Sequence, residues 1–133
     1  MKAILAVNNL GFVGLDGELP WRNLEDFKHF KKLTMGDVLL VGYNTFQKLP
    51  ELKGRSVLVD HRGNVDDSWT IIGDNVMHYE DLWCIGGKKT YEKYAPYLEE
   101  LHISHIDDNT IGDTTFPDLI GLHPLCKVFN YHF

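Results

Sequence analysis

Two cysteines in 133 residues are too few for a disulfide framework. Cys84 sits in the apolar run Leu82-Trp83-Cys84-Ile85 and Cys126 lies beside Leu125 and Val128, so both read as buried thiols in a reducing compartment. Basic charge is scarce as well. Thirteen Lys and Arg stand against nineteen Asp and Glu, a formal net charge of −6. A protein that grips a nucleic-acid backbone usually carries a basic face, so no nucleic acid is expected. Long apolar runs are missing. The N-terminal run, Ala3 to Val7, is too short for a signal segment or a membrane span, and a cytoplasmic protein with no membrane partner is expected. Repeats and low-complexity segments are absent too. With 44% hydrophobic and 24% charged residues, the make-up is that of an ordinary globular protein, and the length suits a single domain spanning 1–133.

Glycine, proline and apolar runs divide the chain. Residues 2–8 read as a buried strand, and 9–22 as a loop too rich in glycine (Gly11, Gly14, Gly17) for regular structure. Asn23 is a candidate N-cap for a helix near 24–34, closed by Met35-Gly36-Asp37. Strands are expected at 38–41, 56–60, 69–72, 83–85, 99–106 and 126–132, with helices near 43–48 and 88–95. Short apolar strands alternating with helices imply an α/β fold with a mostly parallel central sheet flanked by helices. Ligands of such sheets bind beyond the carboxyl ends of the strands.

Asp26 is out of place in this pattern. In the helix it shares one face with Phe30 and Leu33, at i, i+4 and i+7. A carboxylate covered on that face loses hydration and needs a partner rich in donors, such as a flat nitrogen heterocycle. The plainer alternative is an N3 carboxylate completing the Asn23 cap. Two helices start on glycine at strand ends, Gly42 and Gly86-Gly87. Free N–H groups there suit two phosphates, as in a dinucleotide, though such glycines are also common in turns. Lys28, Lys31 and Lys32, like Lys88, Lys89 and Lys93, read as solvated helix faces or as local attraction for an anion. His102 and His105 fall on opposite sides of one strand and cannot share a metal, and no ligand set with metal spacing accompanies them.

Val13-Gly14-Leu15-Asp16-Gly17-Glu18-Leu19-Pro20-Trp21, then Leu24, Asp26, Phe30 and Thr34, resemble the N-terminal third of the dihydrofolate reductase family. So do Gly42 to Thr45, Gly54-Arg55, Ile85-Gly86-Gly87 with Tyr91, His105-Ile106-Asp107, Gly112-Asp113-Thr114 and Phe116-Pro117, in order, over residues 2 to about 118. The resemblance implies that family's fold, with an antiparallel C-terminal strand. It implies hydride transfer from a reduced nicotinamide, NADPH with NADH possible, to C6 of dihydrofolate, and a proton to N5. The product, tetrahydrofolate, serves one-carbon and thymidylate synthesis. By the same resemblance Asp26 is the pterin-binding acid, Trp21 orients water near the pterin, and Leu19 belongs to a mobile loop closing over the nicotinamide, steadied by Asp113. Ala6, Phe27, Phe30, Leu49, Leu52 and Ser104 fall at substrate positions, and Arg55 pairs with the substrate's glutamate carboxylate. Val13, Gly14, Gly42, Tyr43, Asn44, Thr45, Asp60, His61, Arg62, Ile85, Gly86, Gly87, Lys88, Lys89, Thr90 and Tyr91 fall at cofactor positions, with Gly86–Gly87 expected to be cis. Antifolates such as methotrexate or trimethoprim are implied ligands.

The chain departs from the family's pattern in two places. Tyr43 stands where NADPH-using members usually carry a basic residue. Asp60 ends a strand where hydroxyl or basic residues are usual; an acid there accepts hydrogen bonds from a ribose and repels a 2′-phosphate, while His61 and Arg62 offer to cradle one. The tail after Pro117 has room for one strand in place of a hairpin, one strand fewer than usual. That leaves an edge to be shielded or paired with another copy, so a monomer or weak dimer is expected. The 72–82 connection is short, and a usual helix there is expected to shrink to a turn. The competing readings are a related reductase acting on another pterin or a pyrimidine, and a non-catalytic folate- or nucleotide-binding component of an assembly.

Overall fold

The computed structural model describes residues 1–60 and 82–133, and two strands between them by their backbone. In chain order the elements are β1 (Lys2–Asn8), β2 (Phe12–Gly14), α1 (Leu24–Thr34), β3 (Val38–Gly42), α2 (Tyr43–Phe46), β4 (Ser56–Asp60), β5 (Trp69–Ile72) and β6 (Asn75–His78). There follow β7 (Leu82–Cys84), α3 (Lys88–Tyr94) with a 3-10 turn at Ala95–Tyr97, β8 (Glu100–Ile106), β9 (Thr114–Thr115) and β10 (Lys127–His132). Six strands form one sheet in the order β10-β8-β1-β7-β3-β4. Every pairing in it is parallel.

Alternation along β1 sends side chains to both faces, and each face is covered. Leu5 and Val7 meet Tyr91, Tyr94 and Leu98 from the α3 side. Ile4, with Leu39 and Trp83, meets Phe30 and Leu33 from α1. The expected cap on α1 is present: Asn23 Oδ1 accepts the Asp26 N–H at 3.0 Å, worth about 1 kcal/mol. Glu25 and Asp26 in the first turn and Lys31 and Lys32 in the last complement the helix dipole. Among the described residues no helix is long and apolar enough to cross a membrane.

Several expectations need correction. The last strand forms where expected but runs parallel to β8, from Lys127↔Glu100 to His132↔His105. The reason lies in the path before it. After β9 the chain climbs back beside α3, where the Asp118 N–H meets Glu92 at 2.6 Å and the His123 N–H meets the Ala95 carbonyl at 3.3 Å. It therefore enters β10 at the same end as β8, with Lys127 N–H on the Glu99 carbonyl. In the C-terminal third the antiparallel pairing belongs to β9, which joins β2. That ladder also breaks up the supposed loop 9–22. The 72–82 connection holds β6, paired antiparallel with β5, and not merely a turn. Both cysteines are free, but only Cys84 is buried; burial pushes its thiol up to about 12 and keeps it unreactive. Cys126 is half-exposed because it precedes an edge strand.

Candidate functional site

Register brings together residues far apart in sequence. Ile4 lies beside His102 and Ala6 beside Ser104, with Tyr131 next to Ser104 on the other side. Since Ile4 faces α1, these neighbours do too. Over them sits Asp26, 7% exposed. Burial holds its carboxyl above the usual carboxylate range, while Ser104 and the charge of His29 pull it partly back. The Ser104 hydroxyl makes no hydrogen bond of full geometry, however, and it shares that condition with Trp21 Nε1 and His29 Nε2. All three are shielded from solvent, and buried polar atoms without partners are costly. They are what a polar ligand would satisfy.

A groove of about 430 Å³ is lined among others by Phe46, Leu49, Leu52 and Arg55. Arg55 is braced: Nε donates to the Lys53 carbonyl at 3.2 Å and Nη1 reaches the Thr34 hydroxyl at 3.4 Å. Its guanidinium lies 5.5 Å from the Phe30 ring centroid, so Phe30 links the groove to Asp26 one turn earlier on α1. Thr34, fully buried, donates in turn to the Phe30 carbonyl at 2.7 Å.

A second groove, about 340 Å³, is lined by Gly42, Tyr43, Asn44, Thr45, Asp60, Gly87, Lys88, Lys89 and Thr90. Its floor is backbone. The Gly42 N–H donates to the Gly86 carbonyl at 2.7 Å, and the Gly86–Gly87 peptide is cis. A methyl group on Gly42 would lie 2.5 Å from the Thr90 hydroxyl, and one on Gly87 2.8 Å from that of Thr45. A side chain at either position would force the facing threonine hydroxyl to move. Tyr91 belongs to the core beneath, donating to the Ile4 carbonyl at 2.6 Å with its ring edge against Gly86. Asp60 does not face the groove freely. Its Oδ2 accepts from the Tyr94 hydroxyl at 2.9 Å and from Lys93 at 3.3 Å.

The segment carrying Leu19 is organised rather than shapeless. Leu15 and Glu18 exchange backbone hydrogen bonds across Asp16 and Gly17, whose φ values are 53° and 79°. Two central residues with positive φ make a type I′ hairpin turn, the one Asp-Gly favours. Asp113 Oδ2 accepts the Asp16 N–H at 2.9 Å; that bond first, and the Thr114 hydroxyl next, hold its carboxyl below the usual range. Lys88 Nζ reaches Thr115 on β9 at 2.9 Å, tying this layer to the second groove.

The family model described as Dihydrofolate reductase matches residues 1–122. The chain belongs to this family. Among its relatives, dihydrofolate reductase type 9 of Escherichia coli is 34% identical, over 86% of this chain and 74% of that protein. Dihydrofolate reductase type 3 of Salmonella typhimurium is 33% identical, over 90% and 78%. The solved structure of dihydrofolate reductase from Enterococcus faecalis, complexed with NADP(H) and RAB-propyl, superposes with a TM-score of 0.71 at 30% identity, over 90% of this chain and 77% of that one.

On this dihydrofolate reductase scaffold the expected residues fall into three groups. Asp26, Ala6, Phe30 and Ser104 gather at the α1 face, and Trp21 is buried nearby in sequence. Leu49, Leu52 and Arg55 line the first groove; Phe27 and Leu19 are exposed, at 42% and 40%. The second groove takes the glycines and their neighbours, with Val13 and Gly14 on β2 and Ile85 just before it. His61 and Arg62 lie outside the described residues. Two residues were missed as contributors. Thr34 braces Arg55, and His29 acts on Asp26. Both sit at i+3 or i+4 from residues already singled out, a spacing that would have found them.

Proposed function

We propose that the chain reduces 7,8-dihydrofolate to tetrahydrofolate, with Asp26 as the acid that holds the pterin. The observation that carries this is a carboxylate 7% exposed, beside donors lacking partners, in a chain of this family. Asp26 accepts two parallel hydrogen bonds from the ring amino group and its neighbouring N–H. Its negative charge raises the proton affinity of the pterin and so favours protonation at N5. Trp21 Nε1 and the Ser104 hydroxyl hold the remaining polar atoms or a water. Phe27, Phe30, Leu49 and Leu52 form apolar walls, and Arg55 takes the glutamate carboxylate with its planar fork. A bound reduced nicotinamide dinucleotide supplies the hydride. The glycine floor at Gly42 and Gly87 fits a backbone-hugging pyrophosphate, with Thr45, Lys88 and Lys89 at its margin. Leu19, on the segment fastened by Asp113, helps exclude water over the reacting rings.

The test is the loss of the reduced-nicotinamide absorbance band with dihydrofolate present. Turnover supports the reading; binding of both ligands without turnover overturns it in favour of a binding module. Within this reading the cofactor is NADPH. Tyr94 and Lys93 occupy the Asp60 carboxylate, which weakens the repulsion expected of an acid at that strand end. Asp60→Ser is therefore expected to change the ratio of kcat/KM for NADPH over NADH by less than about tenfold, the equivalent of 1.4 kcal/mol. A larger rise would show that Asp60 opposes the 2′-phosphate after all.

A further inference from the structure

One turn beyond Asp26, on the same helix, stands His29. Its ring is half-buried, and Nε2 is shielded without a hydrogen-bond partner. The end of the chain holds that ring: the centroid of Tyr131 is 4.1 Å away and that of Phe133 5.2 Å. Tyr131 is itself fixed. Its hydroxyl lies 2.9 Å from His102 Nδ1, and His102 Nε2 lies 2.9 Å from Glu100 Oε1. Phe129 stacks on His102 with centroids 4.6 Å apart and planes 10° from parallel. A polar row thus runs from Glu100 through His102 to Tyr131, whose ring packs against His29, one helical turn from Asp26. The neighbours of His29 on the buried stripe of α1, Phe30 and Leu33, are apolar. An imidazole with only a packing duty is costly where a third apolar residue would serve.

We propose that His29 is a positioning residue for Asp26: packed by Tyr131, which His102 holds in turn, it fixes an imidazole one helical turn from the pocket acid. This rests on Asp26 being the substrate-binding carboxylate. The groups facing His29 are Asp26 and Lys32 from α1, His102 from β8 with Glu100 behind it, and Tyr131 from β10. Burial depresses the imidazole first, Asp26 opposes that, and His102 and Lys32 add to the depression. The reciprocal effect on Asp26 is downward, against burial. As pH falls, protonation of His29 therefore defends the ionised carboxylate. The C-terminal strand, although it follows every position matched to the family, becomes part of the site through Tyr131.

The two titrations should be coupled, and coupling is reciprocal. Carboxyl NMR of the unliganded full chain is expected to show the Asp26 midpoint at higher pH in His29→Gln than in the parent. Imidazole NMR is expected to show the His29 midpoint at lower pH in Asp26→Asn. Tyr131→Phe, which keeps the ring but frees His102, should shift Asp26 less than His29→Gln does. In steady state the acid limb of kcat/KM should move up with His29→Gln. An unmoved Asp26 midpoint in folded His29→Gln overturns the proposal. Should that variant not fold, an unmoved His29 midpoint in Asp26→Asn overturns it instead. Absence of turnover in the parent chain counts against the proposed function alone, because the NMR arms do not need it.

Discussion

Asp26→Asn is expected to lower kcat/KM for dihydrofolate by roughly a hundred- to a thousand-fold, the scale of losing a charged hydrogen-bonding group that also assists protonation. The amide keeps the shape of the side chain but turns one acceptor into a donor, which then faces a donor on the pterin. The negative charge that favours protonation at N5 is lost as well. Steady-state kinetics with saturating cofactor measure the effect, and a loss under tenfold would remove Asp26 from its assigned role. The same variant should melt at a higher temperature than the parent near neutral pH. Burial raises the folded-state pKa of Asp26 above its unfolded-state value. Below that value the carboxyl is protonated in folded and unfolded chains alike, and burial carries no ionisation cost. As pH rises through the window between the unfolded and the raised folded pKa, the cost appears, and above it is fully present. The gain in melting temperature should therefore vanish in acid. Loss of function with gain of stability is the mark of a group kept for its ligand.

Arg55→Leu should raise KM for dihydrofolate by about ten- to a hundred-fold, since a hydrogen bond between charged groups is worth roughly 1.5–3 kcal/mol. The effect should be confined to substrates that carry the glutamate carboxylate. A reduced pterin without that tail ought to show the same kcat/KM with either protein. The structure makes the prediction sharp, because the Lys53 carbonyl and the Thr34 hydroxyl hold the guanidinium near one position before any ligand arrives. Less freedom is then lost on binding. Equal losses for tailed and tailless substrates would mean that Arg55 supports the groove wall and does not read the carboxylate.

What was legible in the sequence followed from local chemistry. Asn23 capped α1 as its residue type and position foretold, and the apolar runs of β1, β3 and β8 became strands because burial on two faces demands them. Gly42 and the Gly86-Gly87 pair marked the groove because backbone must approach backbone there. Other features had no local signature. The β2–β9 ladder joins Phe12 to Thr115 across most of the chain, through segments too short for periodicity to register. The direction of β10 was equally hidden, since alternation reads the same forwards and backwards; only the climb of residues 118–126 past α3 decides it. Asp16-Gly17 was legible and overlooked, as the glycine count drew attention from the turn it encodes. His29 and Thr34 were given no role of their own because a sequence shows the stripe of a helix but not what distant segments present to it, Tyr131 to His29 and Arg55 to Thr34.

The wiring of the main sheet has a kinetic consequence. Each of its ladders joins strands separated by a crossover, and β1 must find both β7 and β8, some eighty to a hundred residues downstream. No tight hairpin seeds that sheet, so ring-closure entropy is lost before most contacts form, and slow assembly is the rule for such topologies. Until β8 arrives, β1 offers an open hydrogen-bonding flank to any other unfinished chain. Yield during synthesis should therefore depend on temperature and on how crowded the nascent chains are, even where the finished molecule is stable.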